Sequence, residues 1–268
     1  MKISFIGGGV MAEAMLKGIL QQGIAAPNDV CIGEPVESRR TYLSREHGVA
    51  TTADNGEASR HGDLVIFSVK PQNLPEVTAG LRGTLTKEQA ALSIIAGARV
   101  DTIASGLDHQ AVVRVMPNTP AQIGAGMSLW LAAPEVDGRF RDATRSILQT
   151  LGEEMEVTEE KYLDMATALS ASGPAYVFMF LESLIDAGVY MGMPRDMSRT
   201  LALQTVLGST LLTKESGKHP AELRDMVTSP GGTTAEALKV LEERAFRATV
   251  LDAIAAAYDK SKRLGEDK

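Results

Sequence analysis

The sequence predicts an N-terminal α/β domain with a parallel-rich sheet, followed by an all-α domain. Short apolar runs alternate with helical stretches over the first part of the chain, and only helical periodicity follows. A glycine-rich turn joins the first apolar run to the first helix, as expected where a parallel sheet begins. We therefore predict two domains, residues 1–158 and 159–268.

The N-terminal apolar runs are nearly continuous, which is typical of strands that helices cover on both faces. The predicted strands are Ile3–Ile6, Val30–Ile32, Leu64–Val69, Ala91–Ile95, Val112–Met116, Met127–Ala132 and Glu153–Val157. The predicted helices between them are Met11–Gln22, Val36–His47, Gln72–Leu81 and Arg139–Leu151.

Prolines and glycines divide the remaining chain into helices, because proline is well tolerated in the first turn of a helix. The predicted helices are Tyr162–Ser170, Pro174–Met191, Pro194–Glu215, Pro220–Val227, Thr234–Glu243 and Phe246–Arg263. Several are apolar over more than one face, as at Leu201–Leu207. In a domain of about 110 residues this indicates an interface between copies. We expect at least a homodimer.

Composition argues against several kinds of partner and site. The formal net charge of −7 argues against nucleic acid or an anionic membrane surface as a partner. Cys31 is the only cysteine, which excludes an internal disulfide and a thiol zinc cluster, and we expect it in a buried strand. We find no metal-ligand pattern, no signal region and no long apolar span, and expect a cytoplasmic protein. The histidines fall in no motif and are expected in turns or at the surface.

The residues after the first strand, Gly7-Gly8-Gly9-Val10-Met11-Ala12, fit the pattern G-x-G-x-x-A. Gly7 permits a tight turn, Gly9 permits close approach of a diphosphate, and Ala12 permits close packing of helix on sheet. The helix N-terminus then favours an anion. The sequence therefore predicts a Rossmann-type domain that binds a nicotinamide dinucleotide.

Two features at the end of the second strand bear on the choice between NADH and NADPH. Glu34 is placed to accept hydrogen bonds from the ribose hydroxyls of NAD and to repel the extra phosphate of NADP. Arg39 and Arg40 follow closely and either bind that 2′-phosphate or form a solvated helix face. Both cofactors stay open, with a slight preference for NADH. Glu13 is expected on the polar face of the first helix.

Other residues are expected at the same edge of the sheet, because ligands of open α/β sheets collect at the carboxyl ends of strands. Ser68, Val69, Lys70 and Pro71 follow the strand at Leu64, and Ala96 follows the next one. For Lys70 the alternative is a surface lysine before a turn.

A second anion-binding loop is predicted at Ser229–Thr234, where a Pro-Gly-Gly turn precedes a new helix. Consecutive backbone N–H groups at such a turn suit a small carboxylate. Alternatively, Thr233 and Thr234 are ordinary helix caps.

Five segments resemble the pyrroline-5-carboxylate reductase family: IGGGVMAEA from Ile6, VKPQ from Val69, RVMPNTPAQIGAGMS from Arg114, SASGPAY from Ser170 and VTSPGGTTAEAL from Val227. The last is highly specific in this order and spacing. The resemblance implies a Rossmann domain with a helical dimerisation domain, and an active site in the cleft between them and at the subunit interface. It further implies hydride transfer from NADPH or NADH to the C=N carbon of 1-pyrroline-5-carboxylate, giving L-proline.

The resemblance also assigns roles to residues. It implies that the cofactor diphosphate is bound by Ile6, Gly7, Gly8, Gly9, Val10 and Met11. It implies that other parts of the cofactor are contacted by Asn55, Ser68, Val69, Lys70, Pro71 and Ala96. It implies that the substrate carboxylate is bound by Ser229, Gly231, Gly232, Thr233 and Thr234. The Thr234 hydroxyl is then the catalytic group, near the ring nitrogen of the substrate. Met226 stands where some relatives have Asn, so that contact is lost here.

Two alternatives stay open. A β-hydroxyacid dehydrogenase or another imine reductase shares the two-domain plan, but the former needs a lysine general acid on a helix of the second domain. Lys214 and Lys218 lie only near a helix end. A nicotinamide-binding sensor without turnover is the other alternative.

Overall fold

The computed structural model describes residues 1–266. Within them, eight strands form one sheet in the order β3-β2-β1-β4-β5-β6-β7-β8. Neighbouring strands pair in parallel except β6 and β7, which are antiparallel. The strands are β1 Ile3–Ile6, β2 Val30–Gly33, β3 Ala50–Thr52, β4 Leu64–Phe67, β5 Ala90–Ser93, β6 Val112–Met116, β7 Gly126–Ala132 and β8 Gly152–Glu156.

Helices connect the strands and then make up the rest of the chain. Those between strands are α1 Val10–Gln21, α2 Glu37–His47, α3 Asn55–His61, α4 Leu74–Gly80, α5 Val100–Leu107 and α6 Gly138–Gln149. Those after β8 are α7 Lys161–Ala166, α8 Gly173–Tyr190, α9 Arg195–Ser216, α10 Pro220–Met226, α11 Thr233–Glu243 and α12 Phe246–Glu266. A π-helical turn, Thr167–Ala171, lies between α7 and α8. The predicted fold class, a parallel-rich Rossmann-type sheet followed by an all-α region, is confirmed.

The sheet is buried on both faces. Ile3 and Phe5 belong to one apolar cluster, together with residues of α1 and α6. Ile6 belongs to the other, together with residues of α4 and α5. Since successive side chains of a strand point to opposite faces, this alternation shows that helices cover both sides. Cys31 is buried in one of these clusters, as expected, and Trp130 is buried in the other.

The chain forms two compact units. Among the described residues, one unit comprises residues 1–172 and 257–266, so it includes the sheet, α7 and the end of α12; the other comprises residues 173–256. Within the second unit, α8 packs against α9. A side chain at position 188, where α8 has Gly188, would collide with the side chain of Ser198 in α9. The predicted domain boundary at residues 158 and 159 stays a prediction, because compact packing and domain identity are different criteria.

Several predicted elements need correction. The prediction missed β3, α3 and α5. The strand at Leu64 ends at Phe67, and the predicted helix Gln72–Leu81 divides into a 3₁₀ turn, Pro71–Asn73, followed by α4.

One helical stretch, Lys161–Tyr190, is long and apolar enough to cross a membrane by length and composition alone, since an 18-residue window within it has mean hydropathy 1.3. The expectation of no long apolar span was therefore wrong. Length and composition do not establish a membrane segment, since an interface helix of a soluble protein has the same properties.

Candidate active site

The glycine loop lies where the strand order reverses, between β1 and its two neighbours, β2 and β4. The Gly7 N–H donates to the Gly33 carbonyl at 2.7 Å, and the Ser68 N–H donates to the Ile6 carbonyl at 2.9 Å. Ligands of open α/β sheets bind at this switch point. The local geometry thus presents a binding loop where a dinucleotide is held in this fold.

The three glycines of the loop differ in their surroundings. Gly7 has φ +98°, and a Cβ there would lie 3.1 Å from the Ser68 carbonyl oxygen, so this turn requires glycine. A Cβ on Gly8 would lie 2.7 Å from Leu43 Cδ1. A Cβ on Gly9 would meet nothing within 4 Å. The open space beside Gly9, at the N-terminus of α1, fits an approaching diphosphate.

Glu34 contacts the loop directly. Its Oε2 accepts a hydrogen bond from the Gly8 N–H at 2.9 Å, and its Oε1 accepts one from the Val36 N–H at 2.9 Å. The carboxylate therefore fixes the loop and the corner after β2, in addition to the role toward ribose that the sequence predicts.

Neither arginine after β2 belongs to a simple solvated face. Arg39 donates through Nε to the Gly8 carbonyl at 2.6 Å and through Nη2 to Glu13 Oε2 at 2.7 Å. Arg40 donates through Nη1 to the carbonyls of Glu34 and Pro35, both at 2.8 Å. Sequence reasoning did not find this arrangement, because its members lie far apart along the chain and share no motif.

Glu13 lies on a polar face of α1 that it shares with Lys17, but it is little exposed to solvent there. Its side chain is only 12% exposed and accepts contacts from Arg39, Lys17, Tyr42 and His47. Burial alone raises the pKa of Glu13, but the hydrogen bonds from these four side chains outweigh burial and lower that pKa to about 2. The His47 side chain, whose Nε2 lies 3.3 Å from Glu13 Oε1, is largely buried as well. The expectation of a turn or surface position is wrong for His47, which is the last residue of α2 and whose side chain is 8% exposed. His109 lies in the loop after α5, as expected, and is buried there, which lowers its pKa.

We expect Glu13→Gln to lower the free energy of unfolding in a pH-dependent manner. The carboxyl pKa is depressed in the folded state from 4.5 to about 2, so its stabilising effect is complete above pH 4.5 and is lost as the pH falls toward 2. At neutral pH the loss is up to about 3 kcal/mol. Urea unfolding of both proteins at a series of pH values measures it. A difference that stays constant from pH 4.5 to 2 would contradict this account.

Several predicted cofactor contacts share one groove of about 400 Å³ beside the loop. Its lining includes Gly7, Pro35, Asn55, Val69 and Asn73. Asn55 is the first residue of α3. The groove lies beside the carboxyl ends of β1, β2 and β4 and offers polar groups to a sugar or a base.

The remaining predicted cofactor residues follow β4 and β5. The Ser68 hydroxyl donates to the Gly7 carbonyl at 2.7 Å and so holds the turn. Lys70 is exposed, and Pro71 begins the 3₁₀ turn. Ala96 is half-buried in the turn after β5. These residues present backbone and side-chain groups at the same edge of the sheet.

The second predicted loop, Ser229–Thr234, belongs to the helical unit. Gly231 has φ +67°, which favours glycine, and the Gly232 N–H donates to the Ser229 carbonyl at 3.0 Å. Gly232 is the N-cap of α11, with no side-chain cap, so the alternative that Thr233 and Thr234 are caps is wrong. The first N–H groups of α11 therefore lack a side-chain acceptor and suit a carboxylate.

A buried ionic cluster in the first unit was also missed by sequence reasoning. Arg114 in β6 is fully buried and donates to Glu160 Oε1 at 2.8 Å and to Asp164 Oδ1 at 2.9 Å. Asn118, two residues after β6, accepts from the Met127 N–H at 2.9 Å and donates to Ser170. A charged residue within an apolar strand was the available signal for Arg114.

Two family models match the chain, one in the α/β region and one in the helical region. A family model described as NADP oxidoreductase, coenzyme F420-dependent, matches residues 2–97. A family model described as pyrroline-5-carboxylate reductase dimerisation matches residues 160–264.

Several relatives that match over nearly their whole length are pyrroline-5-carboxylate reductases. The chain is 42% identical to a pyrroline-5-carboxylate reductase of Synechocystis, over 99% of this chain and 98% of the relative. It is 37% identical to that of Escherichia coli, over 99% and 98%. A crystal structure of Plasmodium falciparum pyrroline carboxylate reductase with NADP bound matches with a TM-score of 0.90 at 34% identity, covering 99% of this chain and 98% of that one. The chain therefore belongs to the pyrroline-5-carboxylate reductase family.

Proposed function

We propose that this chain reduces 1-pyrroline-5-carboxylate to L-proline with NADPH or NADH as hydride donor, the last step of proline biosynthesis. The observation that carries the proposal is full-length identity of 37–42% to reductases of that name. The pair of loops supports it, since each leads into a helix whose N-cap is a glycine without a side-chain cap, which suits an anionic group of cofactor or substrate. The alternatives of a hydroxyacid dehydrogenase and of a sensor without turnover have no comparable support.

The cofactor is assigned to the first compact unit. The open space beside Gly9 and the groove that includes Asn55 and Val69 fit a dinucleotide, so the residues present suit the group. Its reduced nicotinamide supplies a hydride when bound. We assign the diphosphate to Ile6–Met11, and the adenosine and nicotinamide parts to Glu34, Asn55, Ser68–Pro71 and Ala96.

The substrate carboxylate is assigned to the loop Ser229–Thr234. Backbone N–H groups there orient the anion without a charged side chain, and the Thr234 hydroxyl is assigned to the ring nitrogen. A protonated imine accepts hydride more readily, because positive charge lies next to the attacked carbon. A threonine hydroxyl is a poor acid at neutral pH, so it positions the nitrogen and passes on a proton that the substrate or water provides. Alignment of two reactants contributes on the order of 7–11 kcal/mol.

A homodimer is proposed as the minimal assembly. Phe178, Met179 and Leu207 of the helical unit are between 54% and 72% exposed, and the dimerisation family model spans this region. Burial of these side chains against a second copy removes the apolar area from water. Light scattering of the purified protein is expected to give 57 kDa, twice the chain mass of 28.5 kDa, or a multiple of it. A mass of 28.5 kDa at micromolar concentration would contradict the proposal.

The cytoplasm is proposed as the compartment, because a single unpaired cysteine suits a reducing environment.

The activity is tested by following the absorbance of NADH and of NADPH after addition of DL-1-pyrroline-5-carboxylate. Oxidation with stoichiometric formation of proline supports the proposal, and the two rates give the cofactor preference. No oxidation by folded protein that binds dinucleotide would reject it, and other cyclic imines would be tried next. Tight cofactor binding without reduction of any cyclic imine would favour the sensor alternative.

A further inference from the structure

Arg39 connects α2 to the glycine loop through three acceptors. Its Nε donates to the Gly8 carbonyl at 2.6 Å, and its Nη2 donates to Glu13 Oε2 at 2.7 Å and to the Gly9 carbonyl at 3.4 Å. The side chain is 26% exposed. A single guanidinium thus reaches two successive peptide groups of the loop and an acidic residue of α1.

The planarity of the peptide gives these contacts a consequence for the N–H groups of the loop. The C=O of one residue and the N–H of the next lie in one plane and point in opposite directions in a trans peptide. Holding the Gly8 carbonyl therefore directs the Gly9 N–H away from Arg39. The Gly9 carbonyl accepts the Glu13 N–H at 3.0 Å, the first hydrogen bond of α1, so the helix itself orients the Val10 N–H and the 3.4 Å contact from Arg39 only adds to this. The Gly9 and Val10 N–H groups are the first of α1, where helical hydrogen bonds leave donors free for an anion.

The preceding peptide is held from both ends by other residues. The Gly7 carbonyl accepts from the Ser68 hydroxyl at 2.7 Å, and the Gly8 N–H donates to Glu34 at 2.9 Å. The Gly8 N–H is therefore already engaged. The N–H groups that remain for a diphosphate belong to the following peptides, and of these the Gly8–Gly9 peptide is the one whose carbonyl Arg39 holds at 2.6 Å.

Arg39 is itself held in place. Glu13 accepts its Nη2 and also receives the Tyr42 hydroxyl at 3.1 Å. The Arg39 guanidinium carbon lies 5.0 Å from the centre of the Tyr42 ring, which is within the range of a cation–π contact. Because all of these partners belong to α1, α2 and the loop, the guanidinium has a fixed position before any cofactor binds.

We propose that Arg39 is a positioning residue that orients the glycine loop for the cofactor diphosphate, and that it is not a ligand of a 2′-phosphate. The inference rests on the proposed function, because it assumes that a nicotinamide dinucleotide occupies the loop. Since NADH and NADPH share the diphosphate, loss of Arg39 weakens both to the same degree. A 2′-phosphate ligand would discriminate between them.

The test measures dissociation constants for NADH and NADPH by cofactor fluorescence, in the absence of substrate. The variants are Arg39→Met and Arg39→Lys, because lysine keeps the charge but has no Nε donor or planar fork. Arg45→Met serves as the control, since Arg45 is an exposed arginine of the same helix. Thermal unfolding of each variant and kcat at saturating cofactor are measured in parallel.

We expect both dissociation constants to rise by about tenfold in each Arg39 variant, as for the loss of well-placed charge-assisted contacts. The ratio of the NADPH constant to the NADH constant and kcat at saturation stay close to wild type, and Arg45→Met binds as wild type. A rise for NADPH alone, or for neither cofactor, overturns the inference while leaving the proposed function intact. Wild-type protein that binds neither dinucleotide overturns both.

Discussion

Replacement of Arg114 by methionine is expected to lower the free energy of unfolding by about 3–5 kcal/mol, because it leaves buried carboxylates without their cation. Arg114 is 0% exposed and binds both Glu160 and Asp164, whose side chains are 29% and 7% exposed. Glu160 Oε1 also accepts the Val100 N–H at 2.8 Å, so the same carboxylate holds the start of α5. One substitution therefore loosens β6, α5 and α7 together.

Urea unfolding at a fixed protein concentration measures the effect, since association with a second copy would shift the midpoint. The control is Arg139→Met, which removes an exposed arginine paired with the exposed Asp137 and should cost less than about 1 kcal/mol. The triple variant Arg114→Met, Glu160→Gln, Asp164→Asn should recover part of the loss, because it removes the unpaired charges. A cost at Arg114 no larger than that at Arg139 would refute the account.

Local chemistry explains which parts of the fold could be predicted from the sequence. Strands β1, β4 and β6 were found because burial on both faces favours nearly continuous apolar runs. Strand β3 was missed because it has three residues, none of them fully buried, at the edge of the sheet. Helix α5 was missed because eight residues give little periodicity, although Ile103, Ala104 and Leu107 are buried.

In the candidate site, too, the sequence predicted the features that neighbouring residues determine and missed those that the fold brings together. The positive φ of Gly7 and the turn at Gly231 follow from residue types within a few positions, so the sequence predicted both loops. The contacts of Arg39 with Gly8 and Glu13 join positions 31 and 26 residues apart. Only the fold brings α1 and α2 close enough for them. Sequence reasoning therefore left Arg39 between two roles, and neither included the loop.

Removal of the Thr234 hydroxyl is expected to lower kcat by about 10- to 100-fold, which corresponds to about 1.4–2.8 kcal/mol of lost transition-state stabilisation. Thr234 is half-buried in the first turn of α11, directly after the N-cap Gly232 and Thr233. The proposed hydrogen bond to the ring nitrogen strengthens as charge on that nitrogen changes during hydride transfer. Its loss therefore acts on the transition state more than on the bound substrate.

Thr234→Val is the most informative variant, because valine keeps the branched shape and removes only the hydroxyl. Steady-state kinetics with the imine as the varied substrate then separate the effect on turnover from the effect on substrate binding. Thr234→Ser restores the hydroxyl and should recover most of kcat. Circular dichroism and the dissociation constant for NADH should match wild type in both variants, since Thr234 belongs to the helical unit and the cofactor loop does not. If Thr234→Val turns over like wild type, the loop binds the carboxylate through its backbone alone and the hydroxyl has no part in the reaction.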